Sequence, residues 1–496
     1  MRAPKKKRGP RARGPKAAAP VIAARLNERV ALEAQASGNI AACFEGYRVE
    51  LGHFSAAAVK RALALRAGLP ITSFTPARSA VDKEIALLAR RLAHGGLLEY
   101  RLAPLRSGKD MIVIEPQMAG YWPQVAKLNA ADTVALSRFA YLRRRGNDMV
   151  LESPRSTALF RICDPKIAAT IAMLSTPHKV GKLRREQGSA AFTLLGLLFD
   201  CNILFKVDAR SDGLRLAEGD SNLVVWDFHD LLFHTHATEG RQANPTGGRY
   251  PFIGLIPPPP AVRAAWSGDA IDLQAFTAGS EETLSPLAAL LRERHSTRDF
   301  DDAQPITIAE LATFLDRTAR VQWKWTSPLD FGDGSVGPDI DYTRRPYPSA
   351  GSAYELELYL LIANCSGLAR GIYHYDADRH ALVPIEARVQ EIEAQLVSAQ
   401  FAMDAPAPPQ IVITIAARFD RIAWKYSGIA YSLILKDVGV LLQTLYLTAT
   451  ELGLGGCAIG TTNIDLFAKM TGQEFHHEGA VGQFALGRGA KVGDPR

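Results

Sequence analysis

The chain has 496 residues, 47% of them hydrophobic, which is too long for one ordinary domain and enough to bury two or three cores. Its formal net charge is +7, but the first sixteen residues, MRAPKKKRGPRARGPK, hold eight Lys and Arg and no acid. Subtracting those eight from +7 leaves −1, so composition gives no sign of a basic face on the folded body.

Residues 1–30 read as a disordered basic tail: rich in Pro, Gly and Ala, it cannot offset its ordering entropy. It lacks the apolar stretch of a secretory signal. No uninterrupted apolar run reaches the ~18 residues of a membrane span, since FTLLGLLFDCNILF is broken by Asp200. The five cysteines, Cys43, Cys163, Cys201, Cys365 and Cys457, form no C-x-x-C pair, which suits a reducing compartment and argues against a zinc or iron–sulfur framework. A soluble cytoplasmic protein without a metal or a membrane partner is expected.

From about residue 50, FSAAAVKRALALRAGLP and SAVDKEIALLARRLAH predict helices, and LLEYRL predicts a strand after the stop at Gly95-Gly96. A similar helix–helix–strand series begins near residue 165, with Leu88, Leu92 and Leu98 aligning with Leu194, Leu198 and Leu204. Two winged-helix-like modules are read here, over 31–125 and 126–250. The presumed recognition helix of the second, AAFTLLGLLFD, has no cation and should face a core; nucleic acid is disfavoured, and a peptide-binding or structural role fits better. In NLVVWDFHDLLFHTHATEGR, His229, His234 and His236 with Asp227 and Asp230 match no zinc spacing and read as hydrogen-bonded groups on a strand and turn. Residues 251–285, with IPPPP, read as a linker.

Over 286–496 the pattern becomes mixed, indicating an α+β domain. TIAELATFLDRTARV is an amphipathic helix, AYELELYLLIAN a strand after the turn YPSAG, and GIYHYDADRHALVPI a hairpin. PQIVITIAARF is a buried strand, YSLILKDVGVLLQTLYLTATELGLG a long helix stopped at Gly453, and QFALGRG a last short strand.

GLGGCAI satisfies a dinucleotide fingerprint formally, but it follows a long helix instead of joining a strand to one. GQFALGRG has Arg488 where a phosphate loop needs lysine and a hydroxyl. RERHSTRDF is better explained by flavin mononucleotide (FMN): Arg294 and Ser296 suit a terminal phosphate, and Arg298 a developing charge on the ring. The same residues also read as a charged helix end in solvated ion pairs.

Taken together, RERHSTRDF, YPSAGSAYELELYLL, GIYHYD and WKYSGIAYSLILKDVGVLLQTLYLTATELGLGG resemble the nitroreductase-like flavoproteins, and more closely the SagB-type dehydrogenases that oxidise azolines in modified peptides. The match covers roughly residues 286 to 490, and WDFHDLLFHTHATEGR resembles the segment before it. The resemblance implies a nitroreductase fold, a mostly antiparallel sheet flanked by helices, in an FMN-binding homodimer. It places Arg294, Ser296 and the His295 backbone at the phosphate and Arg298 at the flavin ring. It also places Ser349, Ala350 and Gly351 on the flavin from the partner subunit, Ala458, Ile459 and Gly460 near N5, and Arg488 toward the phosphate. Lys425 and Tyr426 become the base element that removes a Cα proton while hydride leaves Cβ. Adjacent residues on a regular strand would point to opposite faces, so both can act only if WKYSG is a bend, or if one of them acts indirectly. Val440 stands where relatives often carry a histidine.

The resemblance implies an FMN-dependent azoline dehydrogenase with a peptide substrate, oxygen as final acceptor and a cyclodehydratase as a partner enzyme. Two alternatives stay open: a general NAD(P)H-dependent nitro- or quinone reductase, and a peptide-binding scaffold for a cyclodehydratase complex.

Overall fold

A computed structural model of the chain describes residues 20–44, 47–74, 79–104, 109–207, 217–239, 250, 252–265, 267–277, 285–332 and 335–490. Most of the expected tail lies outside these residues, and its end is ordered differently from expectation. Pro20–Leu26 is a strand whose apolar residues pair with Leu98–Pro104. The chain divides into two compact units, one ending at Ser221 and one starting at Asn222.

The first unit holds the expected helices Ala56–Leu63, Ala80–His94, Pro165–Met173 and Val180–Asp200. Its main sheet has seven strands, in the order Leu69–Pro70, Pro20–Leu26, Leu98–Pro104, Ile112–Pro116, Ala158–Ile162, Asp148–Glu152 and Tyr141–Arg145. The boundary expected at residue 125 falls inside this sheet, because Ile112–Pro116 pairs with Ala158–Ile162. Leu88, Leu92 and Leu98 share one core cluster with Leu194, Leu198 and Leu204. The two helix–helix–strand series are therefore parts of one body, held together by a shared core. The cation-free helix buries Leu194, Leu195, Leu197 and Leu198, as its composition requires.

The second unit is built on a six-stranded antiparallel sheet, in the order Ala381–Ile385, Gly371–Asp376, Leu356–Ile362, Ile411–Arg418, Glu478–Gly487 and Gly455–Ile459. The strand Ile411–Arg418 is buried at every position except Arg418, so its IVITIAA run is apolar without alternation because both faces are covered. Against the sheet lies the long helix Ala430–Glu451, which inserts Ile434, Leu441 and Leu445 into the core. It is long and apolar enough to cross a membrane by length and composition, but its buried stripe and its central Lys436 and Asp437 are those of a core helix. The hairpin Trp323–Asp330 with Val336–Arg344 and the helix Val389–Met403 also belong to this unit.

The second unit begins earlier than residue 286. Phe228–His236 is a helix, not a strand and turn, and it buries Leu231, His234 and Thr235 at helical spacing. Residues 252–265 and 267–274 are exposed.

Candidate functional site

The helix Pro286–Glu293 starts at Ser285, whose side chain accepts the Ala288 N–H, and it ends at Arg294, where the backbone turns extended (φ −55°, ψ 122°). The segment beyond is fixed by its main chain. Thr297 N–H donates to the Gly456 carbonyl at 2.8 Å, Ala490 N–H to the Asp299 carbonyl at 3.1 Å, and Phe300 bridges Gly489. The glycines of GLGG serve this contact: a Cβ on Gly455 would come within 2.6 Å of Thr297, and one on Gly456 would run into the Phe484 ring. The stretch that mimics a nucleotide fingerprint is a close packing of strand against segment.

Tyr446, on the long helix, ties this region together. Its hydroxyl shares a hydrogen bond with Ser296 Oγ at 2.8 Å and accepts the Ala458 N–H at 2.7 Å. The Arg294 guanidinium lies over its ring, 5.2 Å from the centroid. A cavity of about 220 Å³ adjoins these groups, lined by Glu293, His295, Thr297, Tyr446, Gly455 and Gly456 among others. His295 Nδ1 donates to the Glu293 carbonyl at 3.0 Å, and Arg298 is exposed. Burial raises the Cys457 thiol while the nearby charge of Arg298 pulls it the other way, so Arg298 also belongs to this neighbourhood. Among the described residues neither Arg294 nor Arg298 has a carboxylate partner.

Arg488 is engaged differently. Its Nη2 meets both Glu310 carboxylate oxygens, at 2.5 and 2.7 Å, its Nε donates to the Gln304 carbonyl, and its backbone N–H donates to Gln410 Oε1. Ile459 is buried in the core, whereas Ala458 is partly exposed beside Tyr446 and Gly460 is exposed.

The second cluster is the YPSAG turn. Ala350–Ser352 form a single tight turn in which Gly351 (φ 57°, ψ 27°) takes a left-handed conformation that glycine adopts freely. Ser349 Oγ lies 2.9 Å from Asp437 Oδ2 and 3.2 Å from Glu355 Oε2, and it accepts the Tyr354 N–H. The Ala350 N–H donates to the same Asp437 oxygen at 2.8 Å.

Lys425 and Tyr426 follow the short helix Phe419–Ala423, and both backbone N–H groups fold back onto the Ile422 carbonyl, so WKYSG is a bend. The bend brings the two side chains to one place. Lys425 Nζ donates to the Gly351 carbonyl at 3.2 Å, and a Cβ on Gly351 would lie 2.5 Å from both Lys425 Nζ and Tyr426 Oη. The geometric condition posed by adjacency is thus met. Asp437 and Tyr446 sit nine residues apart on one helix, which sets the two clusters roughly 14 Å apart along its axis.

The bend is buttressed from the unit's start. His234 is fully buried, with Nε2 3.1 Å from the Phe475 carbonyl and Nδ1 3.0 Å from the Tyr431 hydroxyl. The carbonyl can only accept, so the proton sits on Nε2 and Nδ1 accepts from Tyr431. Trp226, Phe419, Tyr431 and Phe475 pack around it. Asp230 caps the long helix by accepting the Tyr431 N–H at 3.3 Å. His229 and His236 are exposed, so the three histidines do not converge.

Tyr446, Glu355 and Asp437 escape the sequence reading. The signal for the two acids is a lone carboxylate inside an apolar helix, LILKDVGVLL, and one opening an apolar strand, AYELELYLL.

Residues 291–488 match the model of the Nitroreductase family, and residues 134–243 match that of Cyanobactin oxidase ThcOx. A Methanocaldococcus jannaschii protein named as a nitroreductase, MJ1384, is 35% identical over 174 residues, 35% of this chain and 78% of the relative. Microcin B17-processing protein McbC of Escherichia coli is 29% identical over 122 residues, 24% of this chain and 44% of McbC. Among solved structures, the Escherichia coli microcin synthetase McbBCD complex with truncated pro-MccB17 is similar at 19% identity over 56% of this chain and 98% of that one, with a TM-score of 0.39. A Ralstonia eutropha structure described as a nitroreductase is similar at 21% identity over 43% and 87% of the two chains, with a TM-score of 0.30. With the expected domain matched over 291–488 and an archaeal relative covered over most of its length, the chain belongs to the nitroreductase family of oxidoreductases.

Proposed function

We propose that the protein is an FMN-dependent dehydrogenase of the SagB type that oxidises thiazoline or oxazoline rings in a ribosomal peptide to thiazoles or oxazoles. The observation that carries this reading is the convergence of Lys425 Nζ and Tyr426 Oη on Gly351. It is supported by the likeness of residues 134–243 to the cyanobactin oxidase model and by the relation to McbC.

The residues present fit FMN. Arg294 and Arg298 are cations without a carboxylate partner among the described residues, and Ser296 adds a hydroxyl. Arg294, Ser296 and the His295 backbone would hold the phosphate, and Arg298 the ring edge. Arg488, paired with Glu310, would reach the phosphate only by leaving that partner. In a homodimer, the turn Ser349–Gly351 with Lys425 and Tyr426 would face the cofactor held by the partner subunit, with Ala458, Ile459 and Gly460 at its other side.

Bound FMN would supply the two-electron acceptor for hydride from Cβ. The chain's own part is proton chemistry: one member of the Lys425–Tyr426 pair takes the Cα proton and the other stabilises the charge that results. The Gly351 carbonyl fixes the amine of Lys425, and the lack of a side chain at Gly351 leaves room for the ends of Lys425 and Tyr426, which a Cβ would meet at 2.5 Å. The helix–helix–strand series of the first unit would serve as winged-helix-type grips on the peptide. A cyclodehydratase that forms the azolines would be the partner enzyme, by analogy with the microcin-processing relative McbC.

An absorption spectrum of the purified protein tests the cofactor, and mass analysis of an azoline peptide after incubation tests the reaction by loss of two hydrogens. A colourless protein, or unchanged oxidation in Lys425→Ala and Tyr426→Phe, overturns the reading. The 35% identity to a relative named as a nitroreductase favours a second reading, NAD(P)H-dependent reduction of nitroaromatics or quinones. Rapid bleaching of bound flavin by NADPH, without azoline oxidation, would select it.

A further inference from the structure

The turn that carries Gly351 is held by an unusual set of acceptors. Ser349 has one hydroxyl proton, yet its Oγ lies within hydrogen-bond distance of two carboxyl groups, Asp437 at 2.9 Å and Glu355 at 3.2 Å. Glu355 is fully buried, and its other oxygen, Oε1, has no hydrogen-bond partner among the described residues. Asp437 is also buried and receives the Ala350 N–H as a further donor. Two charged carboxylates cannot both be satisfied there by one hydroxyl, and like charges in a buried site repel strongly. A proton on Glu355 resolves the conflict, because Glu355 then donates while Asp437 remains the acceptor for Ser349 and Ala350.

The turn needs such a hold. Gly351, Ser352 and Tyr354 all have positive φ, at 57°, 55° and 46°, and two of these are side-chain-bearing residues in a conformation that persists only where the surroundings impose it.

We infer that Glu355 and Asp437 form a proton-sharing clasp that positions the Ser349–Gly351 turn against Lys425 and Tyr426, and that ionisation of Glu355 opens it. Only the consequence for turnover rests on the function proposed above. Both acids are positioning residues, acting through the turn. Burial first, and then the charge of Asp437, pushes the Glu355 carboxyl up to about 7. The other ionisable groups around it are the buried Tyr347 hydroxyl from the turn itself and Arg345, whose guanidinium donates to the Leu356 carbonyl and faces Glu357. Arg418 meets the Glu355 carbonyl through its backbone N–H, and Lys425 and Tyr426 lie on the far side of the turn at Gly351. None of these places a cation on the Glu355 carboxylate. Below the midpoint the clasp is closed; as the proton leaves, the second charge pushes Glu355 and Asp437 apart and Ser349 can serve only one of them.

Hydrogen exchange of the segment 347–356 in the full-length protein, corrected for intrinsic rates, tests this over roughly pH 5 to 8. In the unmodified protein the protection of the Ala350 and Tyr354 amides should fall, by up to about tenfold per pH unit, as pH rises toward the midpoint, and should level off above it, as a single proton linkage requires. Glu355→Gln keeps a neutral donor of the same shape, so its protection should be flat with pH. Asp437→Asn removes the other charge but not the burial, so it should weaken the dependence and move it to lower pH, which keeps the test open if one variant folds poorly. The alkaline limb of azoline oxidation should move up by about one pH unit or more in Glu355→Gln. Flat protection in the unmodified protein, or the same pH dependence in all three proteins, overturns the clasp. If protection behaves as stated but no azoline peptide is oxidised, the clasp stands and the functional reading falls.

Discussion

The two clusters on the long helix hold their segments in opposite ways. The stretch from Arg294 to Arg298 is pinned by backbone hydrogen bonds and by one phenol, Tyr446, and it leaves two guanidinium groups without a carboxylate among the described residues. The Ser349–Gly351 turn is pinned by two buried acids, Glu355 and Asp437, and its polar groups are turned inward upon themselves. In the function proposed above, the first arrangement would take an anion from outside, and the second would take only a proton. That contrast separates a place that binds from a place that must be held still.

The contrast is tested most severely where the turn meets the bend. Lys425→Ala and Tyr426→Phe should each lower turnover about 10²- to 10⁴-fold, the usual worth of a positioned proton acceptor, while FMN absorbance is retained. Gly351→Ala should act in the same direction, because its Cβ would lie 2.5 Å from both side-chain ends and the residue sits at φ 57°. Next in size, Arg294→Ala should weaken FMN about 10- to 100-fold in Kd, the loss of a charge-assisted hydrogen bond, with little change in the thermal midpoint of the cofactor-free protein. A result in which the turn variants, and not Arg294→Ala, released FMN would reverse the roles assigned to the two clusters.

Tyr446→Phe should cost about 1 to 2 kcal/mol in denaturant unfolding, since it removes the partner of Ser296 and leaves the Ala458 N–H unanswered. A separate effect is expected on stability against pH. The folded Glu355 carboxyl titrates near 7, above its ordinary value of 4.5, so between these values the native state binds more protons than the unfolded chain. Stability should therefore be full below the lower value and decline as pH rises through the upper one. Glu355→Gln should lose this decline, seen as a thermal midpoint that no longer falls by the roughly 2–4 °C that each kcal/mol is worth in a domain of this size.

Much of the second unit is legible in the sequence because its elements are strongly patterned. IVITIAA fits only a strand covered on both faces, and YSLILKDVGVLL only a core helix. The helix Val389–Met403 escapes such a reading: Gln395 is buried beside Ile392, Leu396 and Ala399, so polarity does not mark its inner face. The hairpin Trp323–Arg344 escapes it because it is exposed along most of both strands and shows no inside–outside alternation. At the site, single residues can be named from type and spacing, as with Arg294, Ser296 and the Lys425–Tyr426 pair. Their supports cannot, since Tyr446 reaches Ser296 across 150 positions and Asp437 reaches Ser349 across 88. Arg488 shows the converse: its type suits a phosphate, but the fold gives it Glu310.

His234 has a consequence for how the chain can be cut. A fragment starting at residue 286 would keep the arginine segment, the turn and the bend, yet it would strip Trp226 and His234 from Phe419, Tyr431 and Phe475 and uncap the long helix at Asp230. A fragment that keeps these contacts begins near Asn222, where the second compact unit starts. The exposed residues 252–265 and 267–274 then lie between two helices of one body. Because loop-closure entropy grows only slowly with length, those exposed residues are where the chain should accept a protease nick or an inserted sequence without losing its fold.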